Sequence, residues 1–224
     1  MTYRVVTDFE RPPADLVRRV SQTFVAVTGG FAGPRQIVDT AIKPLFRKWR
    51  VCGPAFTVRP EFSEDLLMGY VAAKYVRPGD VLVVDGGGRT DVACWGASMA
   101  GAAKEAGCVG IVLDGMALTA DLLIDREGIP VFARGTAPIT TGQDRPGWLN
   151  CPVACGGVIV NPGDIVLGDI DGVVVLPKDS AAAIVADSEK AGAKSGVGRA
   201  NPEPYRNRTD SEDRLRALPG VEWG

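Results

Sequence analysis

A strand, a glycine loop, a helix and a second strand follow one another between Pro78 and Gly115, PGDVLVVDGGGRTDVACWGASMAGAAKEAGCVGIVLDG. Nothing else in the chain constrains its fold as strongly. Val81 to Val84 is an apolar run of strand length, broken by Asp85 and the three glycines Gly86, Gly87 and Gly88. A helix-period segment is expected from about Cys94 to Ala106, with Gly107 placed to cap it. Val109 to Leu113 then supplies a second strand, ending at Asp114-Gly115. A crossover unit of this kind carries its ligand face where the strands end.

The flanking sequence extends the pattern. Pro12-Pro13, followed by Leu16, Val17, Val20 and Phe24, predicts a packing helix with one apolar stripe. Val27 to Gly33 reads as a glycine loop, and the absence of a following Lys-Ser/Thr excludes a P-loop. Val51 to Val58 reads as a strand entered through a Gly53-Pro54 turn, and a helix is expected to open near Ser63. Pro78-Gly79-Asp80 and Pro162-Gly163-Asp164 are matching turn signals, each leading into an apolar strand. Ile129 to Gly135 predicts another strand, and Asp179 is placed to cap a last helix reaching about Lys190. Short β-rich runs without long helices between them argue against a plain Rossmann domain. They point to an α/β fold with a mixed sheet and helices packed outside. One domain over 1–195 is expected, with 196–224 a polar tail suited to wrapping a neighbouring subunit.

Composition removes whole classes of chemistry. With 0 histidines, the Ser-His-Asp triad, the Cys-His dyad and histidine metal sites are all excluded. The 5 cysteines are odd in number and sit among apolar neighbours, which predicts reduced thiols, and Cys151 with Cys155 lacks the second pair that a zinc site needs. A net charge of -2 gives no basic footprint for nucleic acid. No apolar run reaches the roughly 20 residues of a membrane span, and the N-terminal stretch has no signal core, so a cytoplasmic protein is expected.

Three patches taken together resemble the RraA-like family, which includes the 4-hydroxy-4-methyl-2-oxoglutarate (HMG) aldolases and an RNase E regulator. They are Gly53 to Val58, Pro78 to Gly115 and Cys155 to Pro177, linked by the strand GIPVFARG. The resemblance implies a mixed-sheet sandwich of the swivelling phosphohistidine-domain type, assembled as a homotrimer or higher oligomer with sites between subunits. In the family's HMG aldolases an acid after the WG pair precedes an Arg-Asp pair beyond the DG turn; the Asp holds a divalent metal and the Arg contacts the pyruvate-like end of the substrate. The matching positions here are Ala97, Leu118 and Thr119, so all three ionic functions are missing. No metal is therefore assigned, and Mg²⁺ enters only if Asp114 or Asp121 replaces the lost ligand.

A modified site follows as the expectation. Gly88, Trp95 and the main chain of Gly96, Ala97, Ser98 and Met99 are read as its floor, because amides at a helix start accept anions. Leu118 and Thr119 would line it, Arg89 or Arg134 would balance the charge of a small carboxylate, and Asp114 or Asp121 would move a proton. The corresponding function is a lyase acting on a small oxo- or hydroxy-carboxylate. The alternative is a non-catalytic regulatory trimer. Trp95 and Met99, four apart, equally suit one apolar helix face, and Arg89 and Arg134 equally suit surface ion pairs.

Overall fold

The computed structural model describes residues 2–140, 142–195 and 211–221. Its strands are β1 (Lys43–Pro44), β2 (Val51–Pro60), β3 (Val81–Val84), β4 (Ala93–Trp95), β5 (Gly110–Leu113), β6 (Met116–Ala117), β7 (Val131–Ala133), β8 (Gly135–Thr136), β9 (Gly147–Leu149), β10 (Val153–Cys155), β11 (Val158–Val160), β12 (Ile165–Asp169) and β13 (Gly172–Leu176). The helices are α1 (Ala14–Ser21), α2 (Val25–Ala32), α3 (Leu67–Ala72), α4 (Ala97–Glu105), α5 (Ala181–Ser195) and α6 (Ser211–Arg216).

One mixed sheet runs β1-β7-β5-β3-β2-β12-β13, with β9 added on β2. The pairs β2–β3, β3–β5 and β5–β7 are parallel, while β12 is antiparallel to both β2 and β13. The segment leading into β1 nearly closes this sheet on itself. Ile37 bridges Val174, and Val38 donates its N–H to the Val173 carbonyl at one edge, while Lys43 and Pro44 pair with Ala133 and Phe132 at the other.

Side-chain alternation then sorts residues into an interior and two outer layers. Val51, Ala55, Val81, Val83, Val112, Phe132, Val166, Val173 and Val175 fill the interior. The opposite faces of β2, β3, β5 and β7, through Phe56, Leu82, Val84, Ile111, Leu113 and Val131, pack with residues of α3 and α4. Ile165, Leu167, Val174 and Leu176 pack with residues of α1, α2 and α5. The β10–β11 hairpin contributes Val153, Cys155, Val158 and Val160 to the interior, turning through Gly156 and Gly157 at φ 52 and 80.

The two Pro-Gly-Asp turns have the same build. Gly79 and Gly163 lie at φ 94 and 89, and Asp80 and Asp164 each accept the N–H of the residue three before, Arg77 and Asn161, at 2.8 Å in both cases. Both carboxylates are buried. Beyond the turns the likeness ends, because β3 and β12 flank β2 on opposite sides, one parallel and one antiparallel to it.

Several local expectations are corrected. Val27 to Gly33 is not a loop: helix α2 runs through Gly29 and Gly30, and the addition of a methyl at Gly29 would meet Ile37 Cδ1 at 2.9 Å. Gly53-Pro54 lies inside β2 rather than before it; the parallel partner β3 begins only at Ala55, which lets a proline stand in the strand. The crossover helix starts at Ala97, since Ala93–Trp95 is strand, so Trp95 is not on the helix face of Met99. Both are nevertheless core, and Gly69 on α3 admits them: a methyl there would meet Met99 Sδ at 2.5 Å and Trp95 Cζ3 at 2.9 Å. Asp65, not Ser63, receives the first N–H of α3, that of Leu67. The expected tail falls mostly outside the described residues, apart from α6 and the turn after it.

Candidate functional site

The parallel strands β3, β5 and β7 deliver three loops to one end of the sheet. At the first, Gly87 and Gly88 take φ 66 and 71, and Gly88 donates its N–H to the Asp114 carbonyl. The Cys94 thiol lies beneath the crossing: methyls added at Gly86 and Gly115 would meet its Sγ at 3.1 and 2.8 Å. Glycine is required at Gly86 chiefly because the Asp114 carbonyl oxygen would lie 2.6 Å from a Cβ, and at Gly115 because the chain passes over the buried Cys94 side chain.

At the carboxyl end of β5, Asp114 is buried and fully engaged. Oδ1 accepts Arg134 Nε at 2.7 Å, and Oδ2 accepts the Gly156 N–H at 2.7 Å. Arg134, which follows β7, also bonds Asp39 at 2.7 Å. The Ala41 N–H and then the Arg134 guanidinium hold the Asp39 carboxyl below its usual range. Asp85 accepts the N–H of Gly87 and lies 3.9 Å from Arg59 Nε. Sequence reasoning took Asp85 only as the start of the glycine loop and overlooked Asp39 and Arg59, which come from separate segments and whose pairing no local signal announces.

The remaining expected residues sort into other places. Beyond Asp114 and Arg134 the chain runs on through the short parallel strands β6 and β8, which pair alongside β4 and carry it about 10 Å further. There α4 begins. Gly96 is its N-cap, Ala97 is buried, and Ser98 is exposed. Leu118 lies directly on Gly96, where an added methyl would meet its Cδ2 at 2.9 Å. Thr119 takes φ 56, and its hydroxyl accepts the Ala97 N–H at 3.1 Å while donating to the Leu118 carbonyl at 2.6 Å. The amides of Ser98 and Met99, next in the first turn, donate to no protein acceptor among the described residues. Arg89 stands apart, paired with Glu64 at 2.8 Å and Asp91 at 2.6 Å. Asp121 is exposed at the start of the π-helical turn Leu122–Glu127.

The site thus has two tiers: a charged one of Gly88, Asp114 and Arg134, and a largely neutral one of Gly96 to Met99 with Leu118 and Thr119. The resemblance places a divalent cation in the second tier, and the donors there do not fit it. Alanine and leucine offer no oxygen, and the Thr119 hydroxyl is neutral and already bonded on both sides. No group of three or more acidic or cysteine side chains able to hold a metal occurs among the described residues.

Burial drives the nearby thiols toward their neutral form. Desolvation pushes Cys94 up to about 12 and Cys108 up to about 11, and it holds Cys155 well above the ordinary thiol range. In a thiol-reagent titration at pH 8, Cys52 and Cys151 are expected to react in the native protein, and Cys94, Cys108 and Cys155 only on unfolding. The folded values lie above the unfolded one, so this contribution to stability is complete below the unfolded thiol pKa. It is lost as pH rises past about 8.5–9, and a denaturation series across that range reads it.

Comparisons with known proteins agree with the architecture. The RraA-like family (Aldolase/RraA) matches residues 20–175. A Halalkalibacterium halodurans protein provisionally named 4-hydroxy-4-methyl-2-oxoglutarate aldolase is 38% identical over 143 residues, which is 63% of this chain and 66%, just under two thirds, of that relative. The uncharacterised protein MJ0644 of Methanocaldococcus jannaschii is 33% identical over 66% of this chain and 71% of its own length. Among solved structures, Streptomyces coelicolor RraAS2, described as an unusual member of the RNase ES inhibitor RraA family, superposes with a TM-score of 0.75 at 32% identity, covering 84% of this chain and 98% of its own. The RNA-processing inhibitor RraA from Thermus gives 0.57 at 30% identity, over 63% and 84%. With more than half its length matched by the family and its fold superposing on these structures, this chain belongs to the RraA-like family.

Proposed function

We propose that this chain is a lyase-type enzyme acting on a small oxo- or hydroxy-carboxylate without a resident metal, in an oligomer of the family's kind. The observation that carries the reading is a pair of amides in the first turn of α4, next to the one that Thr119 holds. The Ser98 and Met99 amides point out of a helix start with no protein acceptor among the described residues, beside an exposed Ser98. Such donors, reinforced by the helix dipole, suit a carboxylate or an oxyanion that develops as a carbon–carbon bond breaks. Leu118 and Ala97 replace the charged wall with apolar surface, which favours a monocarboxylate over a dicarboxylate. Proton transfer falls to Asp121, since both oxygens of Asp114 are occupied.

In a thermal-shift screen at millimolar ligand, small 2-oxo and 2-hydroxy monocarboxylates are expected to raise Tm by several degrees, with chelator present or absent. Ser98→Pro removes one amide donor at a position in the first helical turn, where proline is tolerated, and should abolish the ligand shift while moving the unliganded Tm little. Stabilisation that survives this change, or none with any acid, counts against the reading. The second reading, a non-catalytic regulator, is favoured by the engagement of Arg89, Arg134 and Asp114 in ion pairs. The absence of any carboxylate response would support it.

A further inference from the structure

We infer that Thr119 and Leu118 act as a plug: they cover the Gly96–Ala97 end of α4, leave the Ser98 and Met99 amides open, and close the site to the divalent cation that the fold family implies. The inference holds whether the chain is an enzyme or a regulator, because it concerns only what the second tier excludes.

Three observations carry it. First, the Thr119 hydroxyl is used in both directions, its hydrogen given to the Leu118 carbonyl and a lone pair turned to the Ala97 N–H. A cation approaching that oxygen would find one neutral lone pair left, at the positive end of a helix, where cations are disfavoured. Second, the Leu118 side chain rests on Gly96 so closely that not even a methyl fits between them, so the side of the exposed Thr119 that faces the helix start is walled by hydrocarbon. Third, Thr119 sits in the left-handed region at φ 56, uncommon for a β-branched residue. A conformation of that kind persists only where its surroundings hold it, and here the two hydroxyl bonds do so. The neighbouring acids give no second route. Asp114 already holds Arg134 on one oxygen and the Gly156 N–H on the other, and Asp121 stands exposed and belongs to no group of three or more acids or cysteines able to hold a metal among the described residues.

The test uses the full-length protein and Mn²⁺, read by loss of the free-ion electron paramagnetic resonance signal, so it needs no activity. Wild type is expected to bind no Mn²⁺ at this site at up to about 1 mM, and its Tm should not respond to chelator. Thr119→Val keeps the shape but removes both hydroxyl bonds, and should lower Tm; Thr119→Ser keeps the bonds and should restore most of the loss. Ala97→Glu/Leu118→Arg/Thr119→Asp returns charged donors to the three plugged positions and is expected to gain Mn²⁺ affinity by at least about tenfold over wild type. Should the triple variant fail to fold, Thr119→Asp alone serves, since aspartate tolerates the left-handed region better and still accepts the Ala97 N–H. Mn²⁺ bound by wild type and released by Thr119→Val overturns the inference. So does a folded Thr119→Asp or triple variant with no gain, or Thr119→Val as stable as wild type.

Discussion

Replacing Asp114 with alanine is expected to lower Tm by roughly 6–12 °C, from a loss of about 3 kcal/mol spread over a chain of this size. The carboxylate is buried and each of its oxygens holds a protein donor: Arg134 Nε bonds one and the Gly156 N–H the other, each at 2.7 Å. Its removal leaves the Nε of a guanidinium with 15% exposure, now paired with Asp39 alone, and an amide at the tip of the β10–β11 hairpin without their acceptor. Asp39→Ala is the control. Asp39 also bonds Arg134 at 2.7 Å, but its side chain is 42% exposed, so water and salt screen the pair and the change should be far smaller. Asp114→Asn should fall between the two, keeping an acceptor and losing the charge. Chemical denaturation of the three variants gives the order directly, and an Asp39 effect equal to that of Asp114 would refute it.

That pair also marks where the sequence stopped being readable. The crossover unit was legible because its signals are local: four apolar residues, a glycine cluster, a helical period, a glycine at the helix end. The structure keeps them in order as β3, α4 and β5, with Gly107 at φ 94 donating to the Lys104 carbonyl. What failed was read from composition without partners. Val25–Ala32 has two adjacent glycines and no helical stripe, yet forms a helix because Val25 and Thr28 are buried and the Val25 N–H reaches Asp169 Oδ2, a residue 144 positions away. Tertiary packing overrode propensity there. Likewise the β4 strand, only Ala93–Trp95, exists because β6 lies beside it, and no window of three residues announces such a pairing.

The candidate site divides in the same way. Gly96, Ala97, Ser98, Leu118 and Thr119 were placed together by the resemblance, and the structure joins them through the Thr119–Ala97 bond and the Leu118–Gly96 contact. For Arg89 and Arg134 the sequence leaves two readings, a carboxylate clamp or an ion pair, and the choice depends on neighbours far along the chain. Glu64 is 25 positions from Arg89, and Asp39 is 95 from Arg134. A guanidinium that has two carboxylates holds its loop in place and has less charge left for a ligand. Main-chain donors, by contrast, are fixed by the start of a helix; the sequence reveals the helix, while its first residue, Ala97, is set by the strand β4 before it.

Gly53→Ala is expected to be the most damaging single methyl addition of the chain's core, leaving little native protein at 25 °C. A Cβ there would lie 2.2 Å from the Gly79 carbonyl oxygen and 3.0 Å from Val81 Cγ2. Neither main chain can yield: β2 is held by β12 through Val166↔Gly53, and the Gly79 turn is held by its N–H to the Gly107 carbonyl and by the buried Asp80. The cost should exceed about 4 kcal/mol, close to the whole stability of an ordinary domain. Gly79→Ala separates the two reasons for which a glycine is needed. Gly79 has open space around its missing side chain and a φ of 94, so alanine there meets only backbone strain of about 1–2 kcal/mol. Soluble yield and far-ultraviolet circular dichroism should therefore be lost for Gly53→Ala and retained, with a lower Tm, for Gly79→Ala. The reverse order would mean that the turn, and not the close passage of two chains, fixes how β2 meets β3, and with it the position of every loop at the carboxyl end of the sheet.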